Sequence, residues 1–296
     1  MSAGAQRILI TGASGALARL VAQSLLDARR PDELILVSRN PAALGDLADR
    51  GVDVRFGDFA RPESLRDAFA GAERMLLISA SDVELRSGQH RAAIRSAAEA
   101  GAQHVVYTSG LNPEPPNPAL IAASHWATEQ ALAESGLAWT VLRNSLYAEY
   151  QAAEAAQAIS AGELAHNRGD GQIAYVSRAD CAAVAAAVLA TAGHEGRVYD
   201  VTGPELFSAR DLAVLYGELG GRVVTDVALD DDAFIARLTG GAPADDDHAR
   251  YGVRLVASLG RSIREGYMAV QSDLDPALAL RPRSPLRSVL ASALAG

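Results

Sequence analysis

Apolar residues along this chain fall into short unbroken runs, separated by stretches in which they recur every three or four positions. Ile8 to Ile10, Leu34 to Val37, Met75 to Ile78, Val105 to Val106 within His104–Ser109, and Trp139 to Leu142 are too short for helices. They end in turn residues, as buried parallel strands do. Val52-Asp-Val-Arg-Phe56 alternates and reads as a further strand. Between these runs, Leu17, Leu20, Val21 and Leu25 have helical spacing, and Pro62 to Phe69 reads as a short helix. A helix over 88–100 places Ile94, Ala97 and Ala98 on one face, and another over 125–135 stops at Gly136. Strands alternating with helices predict an α/β fold, a Rossmann-like doubly wound parallel sheet.

The second half continues the alternation less regularly. A helix is expected over 149–161, with short strands at 173–176 and 197–201 around an alanine-rich helix that carries Cys181. From Pro204 the texture changes to short helices, glycine pairs and two acidic clusters, Asp230–Asp232 and Asp245–Asp247. The pattern predicts a cofactor-binding domain over 1–145 and a smaller C-terminal portion over 146–296 that lines the substrate. The two interleave, with about 176–203 returning to the core sheet, and the region after about 236 has no assigned role.

The turn after the first strand carries the first candidate chemistry. Thr11-Gly-Ala-Ser-Gly-Ala-Leu-Ala18 joins strand to helix with glycines at 12 and 15 and a small residue at 18. Glycine lets the backbone approach a pyrophosphate, and the free N–H groups at the helix start favour its charge. At the end of the second strand, where an acidic residue would select NAD by binding the ribose hydroxyls, stand Ser38 and Arg39. A guanidinium suits a 2′-phosphate, so NADPH is expected ahead of NADH. Asp58, at the end of the third strand, could accept from an adenine amino group with Phe59 lining the pocket, or cap the following helix. Ser79-Ala80-Ser81 leaves room for ribose and nicotinamide at the carboxyl edge of the sheet. The rigid loop Asn112–Pro118 could border a ligand entrance or simply connect elements.

Composition narrows the classes. The 296 residues are 49% hydrophobic, enough for a large core, and the net charge of -9 has no basic run to offset it. Nucleic acid is not an expected partner. No apolar stretch approaches a membrane span, and Met1 to Gln6 does not read as a signal peptide. The single cysteine, Cys181, precludes an internal disulfide and fits a cytoplasmic protein, where it reads as core filler. The six histidines are scattered, so no metal site is expected.

Several segments in order carry a family resemblance: the glycine turn, Ser38-Arg-Asn-Pro41, Gly57-Asp-Phe59, Leu76-Leu-Ile-Ser79, His125-x-x-x-Glu129-x-x-Leu132-x-x-Ser-Gly136, Leu142-Arg-Asn144-x-x-Tyr147 and Arg178-Ala-Asp180. Together they resemble the NmrA-like atypical short-chain dehydrogenases, and within them the type 2 NAD(P)H:quinone oxidoreductases. The likeness runs from Arg7 to about Ala236. It implies a cofactor held by Gly12, Ala13, Ser14, Gly15, Ala16, Leu17, Arg39, Asp58, Ser79, Ala80, Ser81, Asn144, Ser145, Leu146 and Tyr147. It also implies direct hydride transfer to a quinone, without flavin. Dye reductases and NADP-sensing regulators share the scaffold and remain the alternatives. The chain departs from the quinone reductases at Ser145-Leu146, where those enzymes tend to carry Gly-Trp.

The usual dehydrogenase of this superfamily pairs Tyr-x-x-x-Lys. No such pair occurs here, and arginine cannot release a proton at working pH. A quinone asks less. Hydride transfer leaves a phenolate-like anion that needs orientation and hydrogen-bond donors. Asn144 and Tyr147 are the expected donors, Ser109 a third, and Tyr175 a candidate substrate wall. Thr108-Ser109-Gly110 lacks the spacing of a nucleophile elbow, so a serine hydrolase is not expected. The substrate is expected to be a small molecule, and self-association is left open.

Overall fold

The computed structural model describes residues 6–240, 246–272, 274, 278 and 281–295, with only the backbone of His248. Asp245, in the second acidic cluster, and Met1 to Ala5 lie outside the described residues.

The apolar runs form a seven-stranded parallel sheet with the spatial order β3-β2-β1-β4-β5-β6-β8. The strands are β1 (Ile8–Ile10), β2 (Leu34–Ser38), β3 (Asp53–Phe56), β4 (Arg74–Leu77), β5 (His104–Gly110), β6 (Ala138–Asn144) and β8 (Arg197–Val201). Alternate side chains of each central strand enter different layers. Ile8, Ile10, Leu34, Leu36 and Leu76 pack with α1 (Ala16–Leu26) and α7 (Arg178–Ala190) on one face. Leu9, Ile35, Val37, Met75 and Leu77 pack with α3 (Leu65–Phe69), α4 (Val83–Glu99) and α5 (Leu120–Ala133) on the other. Burial on both faces is why these strands are continuously apolar rather than alternating. The order reverses between β1 and β4, where open α/β sheets bind ligands.

Buried Arg74 closes the α7 layer. Its guanidinium donates to the carbonyls of Val188, Leu189 and Thr191 at the end of that helix, groups that would otherwise lack partners. Cys181, on the same helix, is buried in the core, and burial pushes its thiol up.

The remaining elements build a third cluster beyond the carboxyl edge. It contains α6 (Gln151–Ala161), α8 (Ala209–Gly220) and the last helix, α11 (Leu286–Ala295). A two-stranded parallel sheet of β7 (Glu163–His166) and β9 (Thr225–Ala228) lies with them. A short α2 (Gly45–Ala48) follows β2, and α9 (Asp231–Thr239) precedes α10 (Asp247–Arg264).

Several boundaries differ from the sequence expectation, each for a local reason. Residues 173–176 form no strand: Ile173 pairs with Phe207 and Val176 with Tyr147 as isolated bridges, Val176 N donating to Leu146 O and Val176 O accepting from Ala148 N. The helix expected from 88 begins at Val83, because Asp82 accepts from the N–H groups of Glu84 and Leu85 as its cap. The helix expected from 125 begins at Leu120, and that expected from 149 opens as a 3-10 turn over Ala148–Tyr150. Leu20 is 39% exposed, whereas Ala18 and Ala22 face the core. The C-terminal region is not only short helices, since α10 has 18 residues. Among the described residues, no helix is long and apolar enough to cross a membrane.

Candidate active site

The site begins where β1 ends. Gly12 has φ +59, a conformation that a side chain makes costly, and nothing lies within 4 Å of the position its Cβ would take. Gly15 N donates to Gly12 O at 2.9 Å, and Ala13 N to Val37 O at 3.0 Å, so the turn is closed and tied to β2. Thr11 Oγ1 donates to Leu76 O and accepts from Ile78 N, at 3.1 and 3.0 Å, tying the turn to β4. Ser38 Oγ lies 3.1 Å from Ser14 Oγ and accepts from Asn40 N. Arg39 is exposed and makes no hydrogen bond or ion pair with any described residue.

Asp58 departs from one expected role. Its Oδ1 accepts from Ala60 N at 3.0 Å in a tight turn, and it caps no helix. Ser64 Oγ takes the bond from Asp58 N instead. Phe59 packs edge-on to His90, with ring centroids 6.0 Å apart.

The exit of β4 is held by a buried polar network that the sequence reading missed. Ser79 N donates to Thr108 Oγ1, and Ala80 N donates to His90 Nε2 at 3.0 Å. The Ala80 carbonyl accepts from Arg86 Nε at 2.7 Å. His90 Nε2 is therefore an acceptor, and its Nδ1–H donates to Thr128 Oγ1. Burial beside Arg86 pushes His90 down to about 3 and His125 well below the ordinary histidine value. Both rings are neutral. A signal was present: Arg86 and His90 stand four residues apart on the stripe that continues to Ala93, Ile94 and Ala97.

β5 and β6 bring the next group together, with Ser109 opposite Arg143 and Gly110 opposite Asn144. Ser109 lines the cavity, but its hydroxyl donates to Glu129 Oε1 at 2.6 Å, so its proton is already engaged. Glu129 is gripped by Arg143 Nε and Nη2 at 3.1 and 2.7 Å. Just beyond, Asn144 Nδ2 lies 3.5 Å from Tyr147 Oη. Asn144 Oδ1 and Ser145 Oγ are buried and have no partner. Burial pushes the Tyr147 phenol above its usual value, so it stays protonated and able to donate. Arg178 stacks over the rings of Tyr147 and Tyr150, 5.2 and 4.6 Å from their centroids. Asp180, the other member of that motif, is structural: it accepts from Ser177 Oγ and Ser284 N and pairs with Arg281.

These groups border one cavity of about 740 Å³. Gly12, Gly15, Ala16 and Leu17 line it from the turn after β1 and the start of α1, Ser79 to Ser81 from the exit of β4, and Asn144 to Tyr147 from the end of β6 and beyond. Tyr175 lines it too, accepting from Arg168 Nη1 at 3.3 Å, with its phenol pushed up to about 12 by burial. Ala13, Ser14, Arg39, Asp58 and Phe59 lie outside this lining. The region after 236 supplies an apolar wall of Leu255, Val256, Leu259 and Ile263 from α10, with Met268, joined by Phe234 of α9. Gly260 lets α10 sit against Asn167, whose Oδ1 lies 1.8 Å from where a Cβ would stand.

The residues fit a dinucleotide. The glycine turn leaves open space for a pyrophosphate, and the orphaned Asn144 Oδ1 and Ser145 Oγ can take the amide of a nicotinamide. A family model described as NAD(P)H-binding matches residues 12–192. The chain belongs to that NAD(P)H-binding family. Quinone oxidoreductase 2 of Escherichia coli (strain K12) is 39% identical over 231 residues, 78% of this chain and 80% of that one. Among solved structures, an E. coli NADPH-dependent quinone oxidoreductase complexed with NADPH superposes with TM-score 0.90. Its identity is 34%, and the match covers 96% of this chain and 99% of that chain. The Citrobacter sp. triphenylmethane reductase complexed with NADP(H) gives 0.86 at 31% identity, covering 97% of this chain and 100% of that chain.

Proposed function

We propose that the chain is an NADPH-dependent reductase that transfers hydride directly to a quinone or a similarly flat conjugated acceptor, such as a dye. NADPH, when bound, supplies the hydride. The observation that carries the reading is the pairing within one cavity of a glycine turn and orphaned acceptors at the sheet edge with an apolar wall from α10. A flat aromatic acceptor fits the gap between them.

On this reading the chain's own groups divide the work. Gly12 to Leu17 receive the pyrophosphate, and Arg39, exposed and unpaired, takes a 2′-phosphate, which favours NADPH over NADH. Asp58 and Phe59 border the adenine. Ser79 to Ser81 border the ribose, held rigid by Thr108, His90 and Arg86. Asn144 and Tyr147 donate to the oxygen on which charge develops, and donors already fixed in place cost no reorganisation at that moment. Ser109 drops out as a donor because Glu129 holds its proton. Residues up to about 145 act as the cofactor domain and those from 146 as the acceptor-lining portion, with α7 and β8 returning to the sheet. Neither flavin nor metal enters the scheme, and a cytoplasmic location accords with the lone buried thiol.

The test is turnover. Purified protein with NADPH should reduce benzoquinones, naphthoquinones or triphenylmethane dyes catalytically, faster than with NADH. Tight NADPH binding with no turnover on the whole panel would make it a nucleotide sensor.

A further inference from the structure

One buried guanidinium of the cavity forms no ion pair with any described residue. Arg86 is 4% exposed and lines the cavity. Its described hydrogen-bond partners are all neutral: Ala80 O to Nε, with Ser124 Oγ and His125 Nε2 near Nη1 at 3.2 and 3.3 Å. Nη2 has no hydrogen bond with any described residue, and it is not among the atoms sealed away from solvent. Asp82, the cap of its helix, and the Tyr251 phenol of α10 act on it only through space. Among the described lining residues the one carboxylate, Glu154, is paired with Arg168. Histidines 90 and 125 offer no negative charge. Burying a guanidinium without an anion is costly, and the cost falls when an anion arrives.

We propose that Arg86 is an anion subsite of the acceptor cavity, which receives a carboxylate, sulfonate or ionised hydroxyl carried on the ring system of the acceptor. The proposal rests on the reductase reading and names its substrate class: flat conjugated acceptors that bear an acidic substituent. The apolar wall of α10 holds the rings, and the planar fork of Arg86 holds the acid. Arg178, at the same cavity, stacks on two tyrosine rings and adds positive potential without competing for the subsite.

Two experiments on the full chain test it. In the first, wild-type protein saturated with NADP⁺ is titrated with naphthalene-2-sulfonate and with neutral naphthalene-2-sulfonamide. The subsite predicts that the sulfonate binds at least about tenfold tighter, as a charge-assisted contact requires. Equal affinities overturn the proposal, and this arm needs no variant. In the second, kcat/KM is measured for 1,4-naphthoquinone-2-sulfonate and 1,4-naphthoquinone in wild type, Arg86→Gln and Arg86→Lys. The ratio, sulfonated over neutral, should fall on the order of tenfold or more in Arg86→Gln and recover in part in Arg86→Lys. If Arg86 only braces the Ala80 carbonyl, both acceptors lose activity together and the ratio stays put, which also overturns the proposal. Selective sulfonate binding with no quinone reduced would keep the subsite and sink the reductase reading, so the two failures are separable.

Discussion

Arg39→Asp isolates the basis for cofactor choice. Arg39 stands just past β2, exposed, with no described partner, so its replacement should change folding stability by no more than about 0.5 kcal/mol. Any change in nucleotide affinity is then a change in the contact itself. A charge-assisted hydrogen bond to phosphate is worth about 1.5–3 kcal/mol, and each 1.4 kcal/mol is about tenfold in affinity. The dissociation constant for NADPH should rise roughly 10- to 150-fold, nearer the lower figure because the site is open to solvent and salt. NADH carries no phosphate there and should bind about as before. The introduced carboxylate repels phosphate but can accept from ribose hydroxyls, so both effects move the ratio of the two constants the same way. Fluorescence or calorimetric titration at low and at physiological salt reads that ratio, and the shift should shrink as salt rises. A ratio equal to that of the wild type refutes the assignment of Arg39.

Other consequences follow from the same geometry. Tyr147→Phe and Asn144→Ala should each lower turnover on the order of 100-fold with NADPH affinity altered less, since each removes a donor to the developing oxyanion. Steady-state kinetics set against binding checks this, and wild-type turnover in both would place the donors elsewhere. Glu129→Ala leaves Arg143 with only the half-exposed Glu114 and should destabilise the fold by about 3 kcal/mol, the low end for a broken buried pair. Urea denaturation reads it, and a loss under about 1 kcal/mol would contradict the buried clamp. His90 titrates near 6.5 when unfolded and is held down to about 3 when folded. The unfolded chain therefore binds the extra proton, and stability is complete above pH 6.5 and falls as pH drops towards 3, by about 1.4 kcal/mol per unit from this residue. His90→Gln should flatten the slope by that amount between pH 6 and 4.5, whereas an unchanged slope would mean His90 is not buried neutral.

Much of the nucleotide half was legible because its signals are local. The apolar runs of β1, β2, β4 and β5 and the glycines at 12 and 15 each announce their geometry within a few residues. The acceptor half was not, because its parts meet only in three dimensions. Residues 173–176 look like a strand, yet their bridge partners, Phe207 and Tyr147, belong to no strand. The apolar wall of α10 is hidden in sequence by the arginines interleaved with Leu255, Leu259 and Ile263. Histidines 90 and 125 look scattered until Arg86 and Ala80 bring them together. Ser109 read as a free donor because Glu129, twenty residues away, reveals its claim on that hydroxyl only across α5 and β5.

Hydride transfer within this cavity is the step on which the function turns. Wild-type protein holding one equivalent of NADPH, mixed with excess naphthoquinone in a stopped-flow instrument, tests it directly. Nicotinamide absorbance should decay in a single phase matched by hydroquinone formation, with no added flavin, and deuterium at the transferred position of the nicotinamide should slow that phase. Bound NADPH that persists unchanged in the presence of every quinone and dye tried would contradict it.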